Sequence, residues 1–408
     1  MKETIRSRLK ELEKKAGQEP STVYLQQPYL SDGRRFIRFT ESAFWSPDIP
    51  IQDRPFDLIT RLLENSMNGA GKCGFFFLDP AILSSSGSQS HHQTQPSIAL
   101  LNVSHLWGSI LYPKTLDAGY MEDGFLRLVL RNLSGDLEAA SLDPTLVVQT
   151  IQTEVLLSYY YLYAACPVEG RYHCAIAVSL ALGAGLNTLG PALHQRRKVY
   201  PPFSLATPDI LPLAGNSVEE TYRVKAFWAV LVLNNYWVAA YGFPSAMPTG
   251  IPIDTPWPSS AGGGATISTF LNGCDLHGFS PTGLVAKASA LLEQVIAFSV
   301  STADTPDPRT LDSFASISTR SRASLPPLSG DPPLVIAHVL TDVAILRSHS
   351  PYLGTSSAMR DTVLLAAGRV VENLEMANLH ESVIDPILAP GKSDVDYDPP
   401  RAHKSDYP

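Results

Sequence analysis

The chain has 408 residues, of which 44% are hydrophobic and 17% are charged, so it can bury a sizeable core in one large domain or two ordinary ones. A formal net charge of −8 excludes a general nucleic-acid binder, because that affinity comes mainly from positive groups that neutralise phosphates. We expect direct DNA affinity to be weak and sequence-independent. No run approaches the ~18 apolar residues of a membrane span, so no membrane partner is expected.

The first predicted element is a helix over residues 1–16, in which Ile5, Leu9 and Leu12 repeat at helical spacing. This pattern is typical of the end of a short coiled coil and predicts a dimerisation surface. Two heptads alone are marginally stable, and an ordinary surface helix is the alternative interpretation. Residues 17–34 follow as a predicted linker.

Helical periodicity dominates the rest of the chain, and no run of alternating strands with hairpin turns occurs, so the predicted class is all-α. The predicted helices are 55–66, 97–110, 121–132, 145–165, 168–186, 218–241, 282–299, 334–348 and 357–378. Long segments rich in Pro, Ser or Gly predict loops at 84–96, 255–267, 301–309 and 325–333. Residues 35–388 are expected to form one helical domain, and residues 389–408 a disordered tail.

One predicted helix contains the stretch AFWAVLVLNNYW, residues 226–237. It is apolar on most faces, which is typical of a helix surrounded by other helices. A capping box of Ser217 and Glu220 predicts its beginning, and Gly242 and Pro244 predict its end. We therefore expect a multi-helix domain packed around this central buried helix.

Two positive side chains, Arg223 and Lys225, lie near the beginning of this helix, where the macrodipole disfavours positive charge. They should therefore have specific acidic partners or reach solvent.

The sequence contains no recognisable catalytic motif. Residues 69–73 resemble the end of a phosphate-binding loop but lack its first glycine and its hydroxyl residue. His338, with Asp342 one turn later, is typical of a core histidine and does not make an active site. Catalytic residues are therefore predicted to be absent, and an enzyme without a recognisable motif remains only an alternative class.

The cysteines show no zinc-ligand spacing, since none falls in a C-x-x-C pair. They are predicted to be free buried thiols, at positions Cys73, Cys166, Cys174 and Cys274. His173 precedes Cys174 on a predicted helix and points about 100° away from it. We expect no metal ligands and no cofactor in this chain.

Three segments, 152–187, 223–258 and 279–299, together resemble the fungus-specific transcription factor domain. This domain is the middle homology region of zinc-cluster regulators, here in a basidiomycete-like form. Segment 72–80 also resembles a family position, and the resemblance spans roughly residues 35–385. The residues that carry it are predicted to be family-signature or core positions; they are Glu169, Gly170, Arg223, Phe227, Trp228, Gly242, Pro244 and Pro258.

The resemblance implies a nuclear regulatory domain that acts on RNA polymerase II transcription. Such a domain would sense a metabolite or partner and modulate a zinc-cluster DNA-binding module. That six-cysteine module has no counterpart here, so zinc and DNA contacts are expected only in such a module. Residues 1–16 resemble the coiled-coil linker that follows it, which implies a homo- or heterodimer.

Two departures from the family pattern affect the interpretation. Asn234 and Asn235 stand where the family usually has an Asp-Arg pair, so a neutral amide network is expected there. The absent zinc cluster leaves an alternative function open, in which the chain is a truncated interaction protein. It would then dimerise with full-length relatives without contacting DNA.

Overall fold

A computed structural model describes most of the region from residue 63 to residue 376. The described residues are 63–64, 75–79, 81–84, 95–111, 118–140, 143–190, 211–212, 214–258, 267–274, 280–301, 308–328, 331–350 and 357–376. The helix over 1–16 with Ile5, Leu9 and Leu12, the linker 17–34, Cys73 and the tail 389–408 lie outside them. Across the described residues the chain is helical with no strand, which confirms the all-α prediction.

The described helices, numbered in chain order, are α1 Ala81–Ser84, α2 Ile98–Ile110, α3 Ala118–Ala140, α4 Pro144–Tyr163, α5 Pro167–Gly183, α6 Ser217–Tyr241, α7 Ile267–Leu271, α8 Pro281–Ser301, α9 Pro308–Ser324, α10 Pro332–His349 and α11 Ser357–Met376. A short 3-10 helix, Leu186–Thr188, follows α5. None of these helices is both long enough and apolar enough to cross a membrane.

Helix α6 joins two sets of neighbours. It packs against α4 and α5, which belong with α2 and α3 to an N-terminal group. It also packs against α8, which belongs with α9, α10 and α11 to a C-terminal group. Residues 226–228 and 230–238 are all buried, so the prediction of a central buried helix is confirmed.

The predicted beginning of α6 is wrong by one residue. Asn216, not Ser217, is the N-cap, and its side-chain oxygen accepts from the Glu219 backbone N–H at 2.8 Å. The Glu219 carboxylate reaches back to the Gly215 N–H at 2.8 Å, whereas the prediction used Glu220. The two side chains thus satisfy donors at the helix end in the manner of a capping box. Asn is as good an N-cap as Ser, so sequence alone did not separate the two.

Helix α3 ends eight residues beyond its predicted end and begins three residues before its predicted start. Gly135 lies within this extension, and the helix continues to Ala140. Leu133 and Ala140 are both buried, and the Asp136 carboxylate accepts from the Ala99 N–H at 3.2 Å. These tertiary contacts outweigh the cost of one glycine in a helix, which is about 1 kcal/mol.

Helix α9 was missed altogether, and the loops predicted on either side were too long. It occupies residues 308–324, and α10 begins at Pro332, inside the predicted loop 325–333. The inward face of α9 is largely hydroxylic, with Ile317, Ser318 and Ser321 buried. A buried face made mostly of serine gives little hydrophobic periodicity, so the sequence carries no clear signal for this helix.

Candidate ligand cavity

A cavity of about 210 Å³ lies where the two helix groups meet α6. Segment 75–77, α4, α6, the loop after α6, α8 and α10 all contribute to its wall. Its lining residues are Phe75, Phe76, Phe77, Tyr159, Lys225, Trp228, Ala229, Val232, Tyr236, Pro258, Thr282, Val285 and Pro333. The cavity is therefore bounded by both groups and by the helix that joins them.

The buried side chain of Gln152 holds one wall in place. Its Oε1 accepts from the Phe77 N–H at 2.7 Å, and its Nε2 donates to the Phe75 carbonyl at 3.0 Å. The segment 75–77 has no secondary structure of its own, so the Gln152 amide supplies the hydrogen bonds that a neighbouring strand would otherwise make to its backbone. The Phe75 ring then stacks on Tyr159 with centroids 4.6 Å apart. The result is an aromatic wall fixed to α4.

Trp228 of α6 forms another part of the cavity wall. Its indole N–H donates to the Pro256 carbonyl at 2.7 Å, and its ring stacks on Trp257 with centroids 4.2 Å apart. Trp228 is 2% exposed and Phe227 is 0% exposed, so both predicted core residues are buried. The Lys287 ammonium lies 5.2 Å from the centre of the Trp257 ring, a cation–π distance.

The loop that carries Pro256 is tied to the 3-10 helix after α5. The Asp254 N–H donates to the Asn187 carbonyl at 2.9 Å, and the Leu189 N–H donates to the Thr255 hydroxyl at 3.2 Å. Gly190 is required by the same contact, because a Cβ there would stand 2.5 Å from the Asp254 carbonyl oxygen. Pro258 at the end of the loop is buried and lines the cavity. The segment 254–258 therefore fastens the N-terminal group to α6.

Lys225 is the one charged residue among the described residues that line the cavity, and its side chain is exposed. Arg223, two residues earlier, is 3% exposed and pairs with Glu219 and with the Pro212 carbonyl. The prediction that these two side chains have an acidic partner or reach solvent is confirmed. Arg223 has the acidic partner, and Lys225 reaches solvent. Lys225 consequently supplies positive charge at the cavity mouth.

Gly170 and Trp237 meet where α5 crosses α6. A Cβ on Gly170 would stand 2.2 Å from Cζ2 of Trp237. Ser158 of α4 completes the contact, since its hydroxyl donates to the Gly170 carbonyl at 2.7 Å and accepts from the Trp237 indole at 2.8 Å. This small group of residues locks α4, α5 and α6 together. Glu169 lies in the first turn of α5, where the macrodipole favours its charge.

The end of α6 follows the prediction. Gly242 adopts φ 66° and caps the helix, with its N–H donating to the Val238 carbonyl. Pro244 lies just beyond, where its carbonyl accepts a long 3.5 Å contact from Arg171. Both residues are exposed, which corrects the prediction of core positions for these two, and their role is to end the helix.

Asn234 and Asn235 form the expected amide network. Both are buried, and the Asn234 Nδ2 donates to the Asn235 Oδ1 at 3.2 Å and to the Ser245 hydroxyl at 2.9 Å. The Asn234 Oδ1 accepts from the Ala246 N–H at 2.8 Å. The network fastens the loop after α6 onto the helix.

A buried acid–base pair joins α4 to α5. Nδ1 of His173 lies 2.6 Å from Oε2 of Glu154, and both side chains are at most 1% exposed. Burial raises the pKa of Glu154, and the hydrogen bond and charge of His173 oppose this rise. The Tyr161 ring stacks on the His173 imidazole, with centroids 5.5 Å apart. His173 is therefore committed to a structural pair.

The described cysteines are free, as predicted, but only Cys174 is buried. Burial raises the pKa of the Cys174 thiol to about 12, so it stays protonated at neutral pH. Cys166 is half-buried and Cys274 is exposed, which corrects the prediction of buried thiols for those two. In the part of the chain that the structure describes, no three His, Cys, Asp or Glu side chains form a group that could hold a metal ion.

A buried carboxylate organises the C-terminal group. Asp342 of α10 is 0% exposed. Its carboxylate accepts hydrogen bonds from Nε of Arg322 on α9 at 3.1 Å and from Nε of Arg369 on α11 at 2.9 Å. His338, one turn from Asp342 and a possible partner for it, instead donates its Nε2–H to the Pro326 carbonyl at 2.8 Å. His338 is a core residue as predicted, while the two arginines were not foreseen.

Several residues that shape the site escaped the sequence reasoning, chiefly Gln152, Ser158 and the aromatic segment 75–77. One signal was present, because the apolar helix α4 carries a run of polar side chains that are all buried. Buried polar groups need hydrogen-bond partners, so such a run marks a face that holds other backbone segments.

Comparisons with family models, with curated proteins and with solved structures found no match to this chain.

Proposed function

We propose that this chain is the regulatory domain of a fungal transcription factor and acts on RNA polymerase II transcription in the nucleus. The observation that carries the proposal is spatial. The segments that resemble the family, 152–187, 223–258 and 279–299, meet around α6 and the cavity. Residues 75–77, which belong to the fourth family-like piece, contribute the aromatic wall.

The cavity supports a sensing role. A compound bound there would touch the N-terminal group through Tyr159, α6 through Trp228 and the C-terminal group through Val285. A ligand shifts a conformational equilibrium only as far as it binds one state better than the other. A site lined by both groups is well placed to favour one arrangement of them over another.

DNA recognition belongs to a separate zinc-cluster module in this proposal, and zinc is required only there. The net charge of −8 fits a domain that does not itself bind the phosphates of DNA. The partners would be that module, a second chain bound through residues 1–16, the transcription machinery and a small effector.

A tethering experiment tests the proposal. The full chain is fused to an unrelated DNA-binding domain, and transcription of a reporter carrying its site is measured in a fungal cell. We expect reporter output to differ from that of the DNA-binding domain alone by about fivefold or more, a typical size for a regulatory coupling.

Two variants sharpen the result. Gly170→Leu should abolish the effect, because a side chain there collides with Trp237, whereas Gly368→Ala meets nothing within 4 Å and should leave it intact. Expression level and nuclear signal are measured in parallel. A well-expressed nuclear fusion with reporter output equal to that of the DNA-binding domain alone would contradict the proposal.

A further inference from the structure

The volume of the cavity limits what it can hold. At about 210 Å³ it lies below the ~300 Å³ at which drug-sized pockets begin. A cavity of roughly 150 Å³ lined by apolar side chains is already large enough for benzene. The space therefore matches a molecule of one ring or two fused rings and excludes a nucleotide-sized cofactor.

The walls favour a flat, aromatic molecule. Phe75, Tyr159, Trp228 and Tyr236 present ring faces or edges around the space. Aromatic rings attract one another in offset-stacked or edge-to-face arrangements at centroid distances of about 4.5–7 Å. The walls are also pre-formed, because Gln152 holds Phe75 and the Pro256 carbonyl holds Trp228. Binding of a planar ligand would therefore cost little affinity, because the site is already ordered.

The charge at the mouth favours an anion. Lys225 is exposed there, and no Asp or Glu is among the described lining residues. The remaining polar side chain at the rim, Thr282, is exposed and offers a hydroxyl. A carboxylate on the edge of a bound ring could meet the ammonium at the mouth while the ring stays in the apolar part.

From size, shape and charge together, we propose that the cavity binds a small planar aromatic carboxylate, with its rings between Phe75, Trp228 and Tyr236 and its carboxylate at Lys225. The proposal deepens the sensing role above and rests on it for its regulatory meaning. Binding itself is measured on the isolated full chain, without any transcriptional readout.

The test uses a matched pair of probes, 2-naphthoate and its neutral analogue 2-naphthamide, titrated into the full chain by calorimetry. Ligand-efficiency limits for about a dozen heavy atoms place the dissociation constant roughly in the range of tens to hundreds of micromolar. We expect one naphthoate per chain, bound about fivefold more tightly than naphthamide, near the upper limit for an exposed ion pair.

Lys225→Met should remove the difference between the two probes by weakening naphthoate about fivefold, with naphthamide affinity unchanged. Arg131→Met is the matched control, since it removes one exposed positive charge on α3, away from the cavity. It should leave both affinities as they are. An equal loss of naphthoate affinity in both variants would contradict the proposed contact at Lys225.

Two blocking variants place the probe in the cavity. Ala229→Phe fills the space from α6, and Thr282→Phe, at an exposed position, covers the rim. Each should abolish binding of both probes while circular dichroism shows an unchanged helix content. The proposal is overturned if the folded wild-type chain binds neither probe, if naphthamide binds as well as naphthoate, or if folded blocking variants still bind.

The outcomes separate this inference from the proposed function. A chain that binds naphthoate at Lys225 but gives no reporter effect retains the ligand assignment and fails as a transcriptional regulator. A chain with reporter activity but no probe binding retains the transcriptional role and loses the ligand assignment.

Discussion

Gly170 of α5 lies against the indole of Trp237 of α6, so close that a Cβ added to Gly170 would stand 2.2 Å from the ring. The ring cannot easily move away, because it is 2% exposed and its N–H donates to Ser158. This contact sets the spacing between α5 and α6, and α6 also lines the cavity.

The substitution Gly170→Ala should therefore destabilise the chain by about 1–3 kcal/mol, the usual cost of overpacking a core. Gly135→Ala is the matched control, because its added methyl group meets nothing within 4 Å on an exposed part of α3. It should stabilise the chain by about 0.4–1 kcal/mol. Urea unfolding followed by circular dichroism measures both, and equal effects would contradict the proposed close contact.

Trp228 should be among the most costly core residues to truncate. Trp228→Ala is expected to lower the free energy of unfolding by about 3–5 kcal/mol, since it removes a large buried aromatic. Trp228→Phe keeps a ring against Trp257 but loses the hydrogen bond to Pro256, which contributes about 1 kcal/mol. A loss below about 1 kcal/mol for the alanine variant in urea unfolding would show that Trp228 does not support the core.

The two arginines on Asp342 should substitute for each other in part. Arg322→Met and Arg369→Met each leave Asp342 with one partner, whereas the double variant leaves a buried carboxylate alone. We expect the double variant to cost about 3–5 kcal/mol, more than the sum of the single losses. Arg347→Met, an exposed arginine on the same helix as Asp342, should cost below about 1 kcal/mol. Strict additivity in thermal unfolding would argue against a shared carboxylate.

Acid should weaken the fold through His338. Burial lowers the pKa of His338 and the Arg322 charge lowers it further, while the Pro326 hydrogen bond and Asp342 oppose these effects. Nε2 already donates to Pro326, and the buried Nδ1 has no hydrogen-bond partner among the described residues, so a second proton there finds no acceptor.

A histidine whose pKa is lowered by folding contributes stability that is full above its unfolded pKa of about 6.5 and is lost as pH falls through the folded pKa. We therefore expect the free energy of unfolding to fall as the pH drops below about 6.5, the unfolded pKa. His338→Gln should reduce that fall, since the amide can still donate to Pro326 without titrating. An unchanged pH dependence in this variant would assign the effect to other groups.

The N-terminal helix remains a prediction, because residues 1–16 lie outside the described residues. If it forms a coiled coil, changing Ile5, Leu9 and Leu12 together to polar residues should shift a dimer to a monomer in sedimentation experiments. Changing Glu3, Lys10 and Lys14 to Gln is a control with the same number of substitutions. A chain that is monomeric before and after the change would refute dimerisation through this helix, and with it the alternative interaction-protein function.

Sequence reasoning succeeded where a single strong local signal existed. Phe227 and Trp228 were placed in the core because the helix around them is apolar on most faces, and Gly242 was placed at its end because a left-handed cap favours glycine. It failed where the local signal was weak, or where two neighbouring residues carried the same signal. The serine-rich inner face of α9 has little hydrophobic contrast, and Asn216 and Ser217 are equally good N-caps.

The cavity illustrates what could not be predicted. Phe75 and Trp228 are far apart along the chain, and nothing in either neighbourhood indicates that they line the same cavity. Their approach depends on Gln152, which binds the backbone of the segment that contains Phe75. A side chain that binds another segment's backbone leaves no periodic pattern in sequence.

The sequence by itself determined the helical class, the central helix and its end at Gly242, because helix periodicity and caps are encoded by neighbours within a few turns. Only the tertiary structure decided which polar side chains pair, such as Asp342 with Arg322 and Arg369 instead of His338. It also decided that Lys225 stands at the mouth of an aromatic cavity. Both depend on distances between segments remote in the chain, and those distances follow from how all the helices pack at once.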